Sequence, residues 1–104
     1  MGYTLKYSPE VKKYDLPEID KPSRTRIKKV IDERLAVRPE VFGRPLRRAL
    51  KGYWKLRVGD YRIIYKVINQ TIRIFAINPQ ERSLQTSHEK VLKRDINLSG
   101  SWNI

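Results

Sequence analysis

Residues 53–77 read YWKLRVGDYRIIYKVINQTIRIFAI, and they predict three short strands that are separated by two tight turns. Apolar and polar residues alternate along the first strand, which is typical of a half-buried strand. The predicted turns at Gly59-Asp60 and Asn69-Gln70 are so short that they can only join antiparallel neighbours. The segment therefore predicts three consecutive antiparallel strands.

This segment and the connector before it are strongly basic. Residues 44–73 contain one acid, Asp60, against nine basic residues: Arg44, Arg47, Arg48, Lys51, Lys55, Arg57, Arg62, Lys66 and Arg73. The whole chain has 23 Lys and Arg residues against 11 acids, which gives a formal net charge of +12. Nucleic acid is the first partner to consider, because phosphate binding releases counterions. An anionic membrane or an acidic protein would be attracted by the same charge.

Length and composition restrict the class of protein. With 104 residues, the chain is predicted to form a single domain over residues 1–104, with a flexible tail at 98–104. Its 39% hydrophobic and 33% charged residues are within the range of globular proteins. The absence of cysteine excludes disulfides, a thiolate nucleophile and a cysteine metal site. No secretory signal and no apolar run of about 18 residues is present, so we expect a cytoplasmic protein.

Helical spacing occurs on both sides of the three strands. A loose strand pattern at 2–8 is followed by a short helix after Pro9 and by a longer helix that starts near Pro22. The apolar residues of the longer helix recur at three- and four-residue spacing: Ile27, Val30, Ile31 and Leu35. The connector that follows is expected to pack Val41, Phe42 and Leu46 at the edge of the core. Helical spacing returns over residues 82–98.

The order of elements predicts an α+β fold. Two N-terminal helices are expected to pack on one face of a twisted, mainly antiparallel four-stranded sheet, in the order β-α-α-β-β-β-α. The other face of the sheet is expected to stay partly open and to carry Lys55, Arg57 and their neighbours.

Three kinds of residue are candidates for chemistry, and each has a structural alternative. Lys55 and Arg57 are equally explained as the solvated face of a half-buried strand. Arg62 shares its face with Ile64, so it needs either an anionic ligand or an internal salt bridge, for example to Asp60. His88 is the only histidine, and a lone histidine in a charged helix is more often a surface residue. Tyrosines of the strands can stack on nucleobases, although aromatic residues in strands mostly fill cores.

Several motifs are missing from the sequence. There is no carboxylate pair or Asp/Glu/His cluster at metal-ligand spacing, and no glycine-rich nucleotide-binding motif. We therefore expect no cofactor and no metal. Phosphoryl transfer without a metal requires a base, an acid and cations around the phosphate, and the 2′-hydroxyl of RNA as the nucleophile.

The segment LKGYWKLRVGDYRIIYKV, residues 50–67, is followed by IRIFAI, by Arg82 and, six residues later, by His88. It resembles the RelE/ParE toxins of bacterial and archaeal type II toxin–antitoxin pairs, and the likeness extends over nearly the whole chain. RelE-type members are ribosome-dependent endoribonucleases that cut mRNA without a metal, whereas ParE-type members bind DNA gyrase. The resemblance implies a RelE-like fold and an acidic, RelB-like antitoxin as partner.

The resemblance also implies roles for individual residues. It places Lys55, Arg62, Arg82 and His88 at catalytic positions, with His88 where relatives carry a catalytic Tyr or His. Phosphate- or RNA-binding residues are then expected among Arg57, Arg47, Arg48, Lys51, Tyr53 and Lys66. Two positions depart from the family pattern, because Glu81 precedes Arg82 where many relatives have histidine, and Tyr53 replaces a basic residue.

The implied mechanism is attack of the 2′-hydroxyl on the neighbouring phosphate. His88 is expected to give a proton to the 5′-oxygen leaving group, and Lys55 is a candidate to take the proton of the 2′-hydroxyl. Two alternatives stay open at this point. One is a ParE-type toxin that poisons gyrase through the surface of its helical hairpin, and the other is a non-catalytic domain that binds RNA or the ribosome.

Overall fold

The computed structural model describes residues 2–80 and 84–97, with side chains described for residues 2–48, 50–80 and 89–95. Five strands form one sheet in the order β1-β5-β4-β3-β2: β1 is Thr4–Tyr7, β2 Arg44–Pro45, β3 Trp54–Val58, β4 Tyr61–Ile68 and β5 Thr71–Pro79. β1 pairs with β5 in parallel, and the other pairs are antiparallel. The predicted α+β class and the antiparallel pairing of the three consecutive strands are confirmed.

The sheet has one strand more than predicted. β2 consists of two residues of the connector, with Arg44 opposite Lys55 and Pro45 opposite Trp54. Two residues carry no periodicity, so the sequence could not distinguish this strand from a loop. A proline is tolerated here because β2 is an edge strand, where the missing N–H removes no central hydrogen bond.

The N-terminal helices cover one face of the sheet. The first helical region consists of a π-helical turn, Val11–Asp15, and a 3₁₀ turn, Leu16–Glu18. Helix α1, Lys21–Val30, begins after Asp20, whose carboxylate accepts a hydrogen bond of 3.0 Å from the Ser23 N–H. A π-helical stretch, Ile31–Leu35, continues α1.

The predicted apolar stripe of this helix is confirmed. Ile27, Ile31 and Leu35 are buried against Leu56, Ile63, Tyr65 and other apolar residues of the sheet, and Val30 packs at their edge. This first core holds α1 on the sheet, because it removes a continuous apolar surface from water.

The connector packs differently from the prediction. Helix α2, Pro39–Phe42, leaves Val41 66% and Phe42 43% exposed, so the expected packing of these two residues in the core is wrong. The inward residue of this single turn is Pro39, whose carbonyl oxygen accepts a hydrogen bond of 2.6 Å from the Tyr65 hydroxyl. Gly43 permits this approach, because a Cβ there would lie 1.6 Å from the Tyr65 oxygen. Leu46 does pack on the second core.

The opposite face of the sheet is covered in part by the C-terminal helix. Helix α3, Leu84–Asn97, packs Val91 and Leu92 on Tyr53, Ile64 and Phe75. The register between β4 and β5 shifts between Ile64 and Tyr65, and Phe75 and Ala76 both join this second core. A bulge turns two successive side chains to one face, which creates an apolar patch that must be covered.

The described helices include none that is both long and apolar enough to cross a membrane. The predicted tail at 98–104 lies outside the described residues.

Candidate functional site

Strand pairing brings four cations to one face of the sheet. Arg44 lies opposite Lys55 across β2 and β3, and Arg57 lies opposite Arg62 across β3 and β4. Lys55 and Arg57 are two residues apart, so they point to the same side of β3. Side chains of directly opposed residues have Cβ atoms roughly 5 Å apart, and like charges in such pairs destabilise a sheet. We call Arg44, Lys55, Arg57 and Arg62 the cation row.

Arg62 is the buried member of the cation row. Its side chain is 6% exposed, and its Nη2 donates a hydrogen bond of 3.1 Å to the carbonyl oxygen of Gln80. The Gln80 N–H in turn donates to the carbonyl oxygen of Asp60 at 2.8 Å. Burial lowers the pKa of Arg62, although a guanidinium stays protonated in proteins. The salt bridge considered for Arg62, to Asp60 or another acid, stays a prediction.

The other members of the cation row are more accessible. Arg57 is exposed, and its Nε donates to the Gly59 carbonyl oxygen at 3.2 Å, which fixes the side chain beside its own turn. Lys55 is half-buried and Arg44 is exposed. An anionic ligand can therefore reach Arg44, Lys55 and Arg57 from solvent, while the buried Arg62 supplies a positive charge in a fixed position.

Tyr53 lies in the second core rather than at the surface. It is 4% exposed, and its ring meets the Phe75 ring edge-on at 5.3 Å between centroids. Its hydroxyl makes a hydrogen bond to the carboxylate of Asp95 on α3. Burial, followed by the hydrogen bond and the charge of Asp95, raises the pKa of Tyr53 well above its usual value. In this arrangement, the ring of Tyr53 offers no free face on which a nucleobase could stack.

Lys66 belongs to the same group of residues. Its Nζ lies 4.7 Å from the centroid of the Tyr53 ring and 3.5 Å from an oxygen of Asp95. These contacts direct the Lys66 ammonium group to Asp95 on α3. Among the remaining predicted RNA-binding residues, Arg47, Arg48 and Lys51 are exposed around the 3₁₀ turn Arg48–Leu50.

An ion pair attaches α3 to the first helical region. Arg94 donates two hydrogen bonds to Asp15, at 2.8 and 2.9 Å, and one of 2.9 Å to the Phe75 carbonyl oxygen. The side chain of Arg94 is 7% exposed and that of Asp15 is 2% exposed. Asp15 also accepts a hydrogen bond of 2.9 Å from the Ile77 N–H. The sequence contained one signal for this contact, because Arg94 follows Val91 by three residues and therefore shares the apolar face of the helix.

Lys90 extends this contact to the sheet. Its Nζ donates a hydrogen bond of 2.9 Å to the side-chain oxygen of Asn78, which lies opposite Arg62 across β4 and β5. Asn78 is 1% exposed, whereas the Lys90 side chain is 27% exposed, so Lys90 reaches the buried amide from the surface. The position of α3 is thereby coupled to the strand beside Arg62.

The side chains of two predicted catalytic residues lie outside the described part of the chain. Arg82 lies outside the described residues. His88 belongs to α3, but its side chain is outside the described part of the chain. The described residues thus bring Lys55, Arg57 and Arg62 together on one face, and they place Tyr53 and Lys66 in contact with Asp95 on α3.

A family model described as the ParE toxin of type II toxin–antitoxin system parDE matches residues 5–84. No curated protein sequence matches significantly. Among solved structures, the RelBE2 toxin–antitoxin complex of Mycobacterium tuberculosis has a chain with 25% identity and a TM-score of 0.72, over 76% of this chain and 99% of that chain.

Two further solved structures are similar. The archaeal RelE–RelB complex of Pyrococcus horikoshii has 28% identity and a TM-score of 0.61, over 80% of this chain and 100% of that chain. A mutant of the Escherichia coli toxin RelE in the free state has 22% identity and a TM-score of 0.71, over 90% and 98% of the two chains. This last similarity concerns the fold alone.

Proposed function

The chain belongs to the ParE toxin family of type II toxin–antitoxin systems, and we propose that it is a toxin that cleaves mRNA on the ribosome. The observation that carries this proposal is the cation row. Two pairs of like charges face each other across neighbouring strands. Each such pair costs a few tenths of a kcal/mol up to about 1 kcal/mol in an isolated sheet, so a polyanion that screens the row gains that energy on binding.

The arrangement supports phosphate binding in a defined geometry. Arg62 is held by the Gln80 carbonyl group, so its guanidinium is oriented before any ligand arrives. A charge fixed in advance stabilises a transition state without the cost of reorganisation. Lys55 and Arg57 flank Arg62 from the neighbouring strand, and together they would contact the non-bridging oxygens of one phosphate.

The proposed reaction needs no metal. The 2′-hydroxyl gives its proton to a general base, for which Lys55 is the candidate, its oxygen attacks the adjacent phosphorus, and the bond from phosphorus to the 5′-oxygen breaks. Lys55, Arg62 and Arg82 stabilise the charge that develops on the phosphate, and His88 gives its proton to the departing 5′-oxygen. The products are a 2′,3′-cyclic phosphate, which can hydrolyse to a 3′-phosphate, and a 5′-hydroxyl end. The proposed antitoxin partner is an acidic protein, in line with the toxin–antitoxin complexes among the similar structures.

Mapping of transcript ends in expressing cells tests this proposal. Wild-type protein should create new 5′ ends within translated regions and should stop growth. The Lys55→Gln/Arg57→Gln variant should lose both effects, because two of the proposed phosphate contacts are removed while the half-buried and exposed sites tolerate glutamine. Lys21→Gln/Lys29→Gln, with the same loss of charge on the exposed side of α1, serves as the control. New ends at wild-type level in the sheet variant would contradict the proposal.

Poisoning of DNA gyrase is a second candidate function, and the family model favours it because it describes a ParE toxin. In that case, the helical hairpin rather than the cation row would bind the target. Expression should then induce the DNA-damage response and leave transcripts intact. The two assays, run on the same cells, separate the candidates.

A further inference from the structure

A cleft lies at the outer edge of β5, beyond the end of β1. β1 pairs with residues 71–74 of β5, and past this point the first helical region meets the edge of the sheet. The Asp15 carboxylate accepts a hydrogen bond from the Ile77 N–H there. A cavity of about 240 Å³ opens beside this contact, between the first helical region, β5 and α3. We call it the edge cleft.

Two tyrosines line the edge cleft. Tyr14 comes from the first helical region and is 55% exposed, and Tyr61 is the first residue of β4 and is half-buried. Both side chains are thus partly open to solvent, in contrast to Tyr53 in the second core. Nucleobases stack on aromatic side chains of this kind. The edge cleft therefore offers a surface on which a flat ring can pack.

The edge cleft also contains a hydrogen-bond acceptor that a ligand can use. Glu18 is exposed, and within the described part of the chain no group donates a hydrogen bond to its carboxylate. The ammonium group of Lys90 is held in the cleft by Asn78 at 2.9 Å and by Asp15 at 3.5 Å. Glu18 is therefore available to accept a hydrogen bond from a ligand that carries an N–H group.

The edge cleft is adjacent to the cation row. Asn78 lines the cleft and lies directly opposite Arg62, and neighbouring strands are roughly 4.8 Å apart. A nucleotide whose phosphate contacts Arg62 can therefore reach the cleft with a neighbouring base. The carboxylates of Asp15 and Glu18 repel phosphates, so the sugar–phosphate chain is expected to stay on the cation row while the base enters the cleft.

These features restrict the occupant. Among the described residues, no group of three acids or histidines is placed to hold a metal ion. The ammonium group of Lys90 disfavours any other cation. A nucleobase with an exocyclic amino group matches the whole lining, because its ring packs on tyrosine and its amino group donates to Glu18. Uracil has a carbonyl oxygen at that position, and a carboxylate repels it.

We propose that the edge cleft binds an RNA base next to the phosphate on the cation row, and that Glu18 selects a base with an exocyclic amino group over uracil. The inference rests on the proposed ribonuclease function, which assigns the phosphate to the cation row. Glu18 determines specificity in this account and takes no part in the cleavage step.

The test is a titration of the purified protein with 2′-O-methyl trinucleotides, whose blocked 2′-oxygen cannot attack the phosphate. Tricytidine and triuridine are a matched pair, because cytosine carries an amino group where uracil carries an oxygen. Triadenosine and triinosine are a second pair with the same difference. The amino-bearing member of each pair should bind about tenfold more tightly, which corresponds to about 1.4 kcal/mol. Its binding should shift the amide NMR signals of Tyr61 and Lys90.

Glu18→Gln should reduce both preferences to less than about twofold, because an amide can donate as well as accept a hydrogen bond. Glu33→Gln is the matched control, since it makes the same change at an exposed position outside the edge cleft, and it should keep the preferences. Equal affinity of the wild type for both members of each pair would overturn the proposal, and so would a preference that survives in Glu18→Gln. Binding of cytidine monophosphate as tightly as tricytidine would overturn the assignment to RNA, in favour of a free nucleotide.

Transcript mapping separates this inference from the nuclease proposal. Among the cuts that Glu18→Gln makes, uracil should be more frequent beside the cleaved bond than with the wild type or with Glu33→Gln. Cuts with unchanged base frequencies would contradict the role of Glu18 and leave the nuclease proposal intact. Absence of cuts with the wild type would contradict the nuclease proposal, and the trinucleotide titration would still decide whether the edge cleft selects a base.

Discussion

Replacing Arg94 by alanine should destabilise the protein by about 4 kcal/mol. Arg94 makes two short hydrogen bonds to the Asp15 carboxylate and one to the Phe75 carbonyl group. The alanine variant would leave the Asp15 carboxylate 2% exposed without its main partner. Removing one member of a buried ion pair costs about 3–5 kcal/mol, because the remaining charge is uncompensated. Domains of this size have stabilities of about 5–15 kcal/mol, so the variant should approach the limit of folding.

The assay is urea unfolding followed by tryptophan fluorescence and circular dichroism. Lys93→Ala is the matched control, because Lys93 is the exposed neighbour of Arg94 in α3 and should cost less than about 0.5 kcal/mol. Arg94→Lys keeps the charge but loses the paired geometry, so it should cost an intermediate amount and provides a folded variant if Arg94→Ala does not fold. A loss below about 1 kcal/mol for Arg94→Ala would refute the reasoning that this ion pair attaches α3.

The remaining predictions concern the packing, the cap of α1 and the cation row. Gly43→Ala should lower the free energy of unfolding, measured with denaturant, by about 1–3 kcal/mol, since a Cβ would lie 1.6 Å from the Tyr65 oxygen. Adding Tyr65→Phe to this variant should restore part of the lost stability. If the effects of the two substitutions simply add, the clash between them is contradicted. The pKa of Asp20 is lowered, mainly by its hydrogen bond to Ser23, so its stabilising effect is present above the ordinary aspartate value of 3.8 and is lost as the pH falls below it. Asp20→Ala should therefore lower the melting temperature at neutral pH and have little effect at strongly acidic pH, and an equal effect at both would be inconsistent with the cap. Arg57→Thr should raise the free energy of unfolding by about 0.5 kcal/mol, because it removes the charge repulsion between Arg57 and Arg62. It should also weaken binding of single-stranded RNA at low salt. A loss of stability would show that the repulsion between Arg57 and Arg62 does not destabilise the sheet.

The strands and the first core could be predicted from local patterns. Alternation over residues 54–58 and helical spacing from Ile27 to Leu35 identify which side chains face inward, and the structure confirms both. The RelE/ParE resemblance was based on the string at 50–67, and the family model confirms it over residues 5–84. These features depend on residues that are close together in the chain, so local sequence patterns are sufficient to predict them.

Other features depend on partners far apart in the chain. The packing of α3 on the second face of the sheet requires a contact between Val91 and Phe75, which are far apart in sequence. The exposure of Val41 follows from the short length of α2. The same limit applies to the candidate site. Lys55 and Arg57 were expected on one face from their spacing, whereas the expectation that Arg62 joins them came from the family resemblance. The burial of Tyr53 depends on Asp95, which the three-strand segment does not contain.

The most direct test of the central claim is the chemistry of the ends that the purified protein creates on mRNA bound to isolated ribosomes. Fragments upstream of each cut should carry a 2′,3′-cyclic phosphate, and fragments downstream should carry a 5′-hydroxyl. The Lys55→Gln/Arg57→Gln variant should produce neither, because the phosphate would no longer be held between β3 and Arg62. Intact mRNA with the wild-type protein, or cuts that leave 5′-phosphates, would contradict the account.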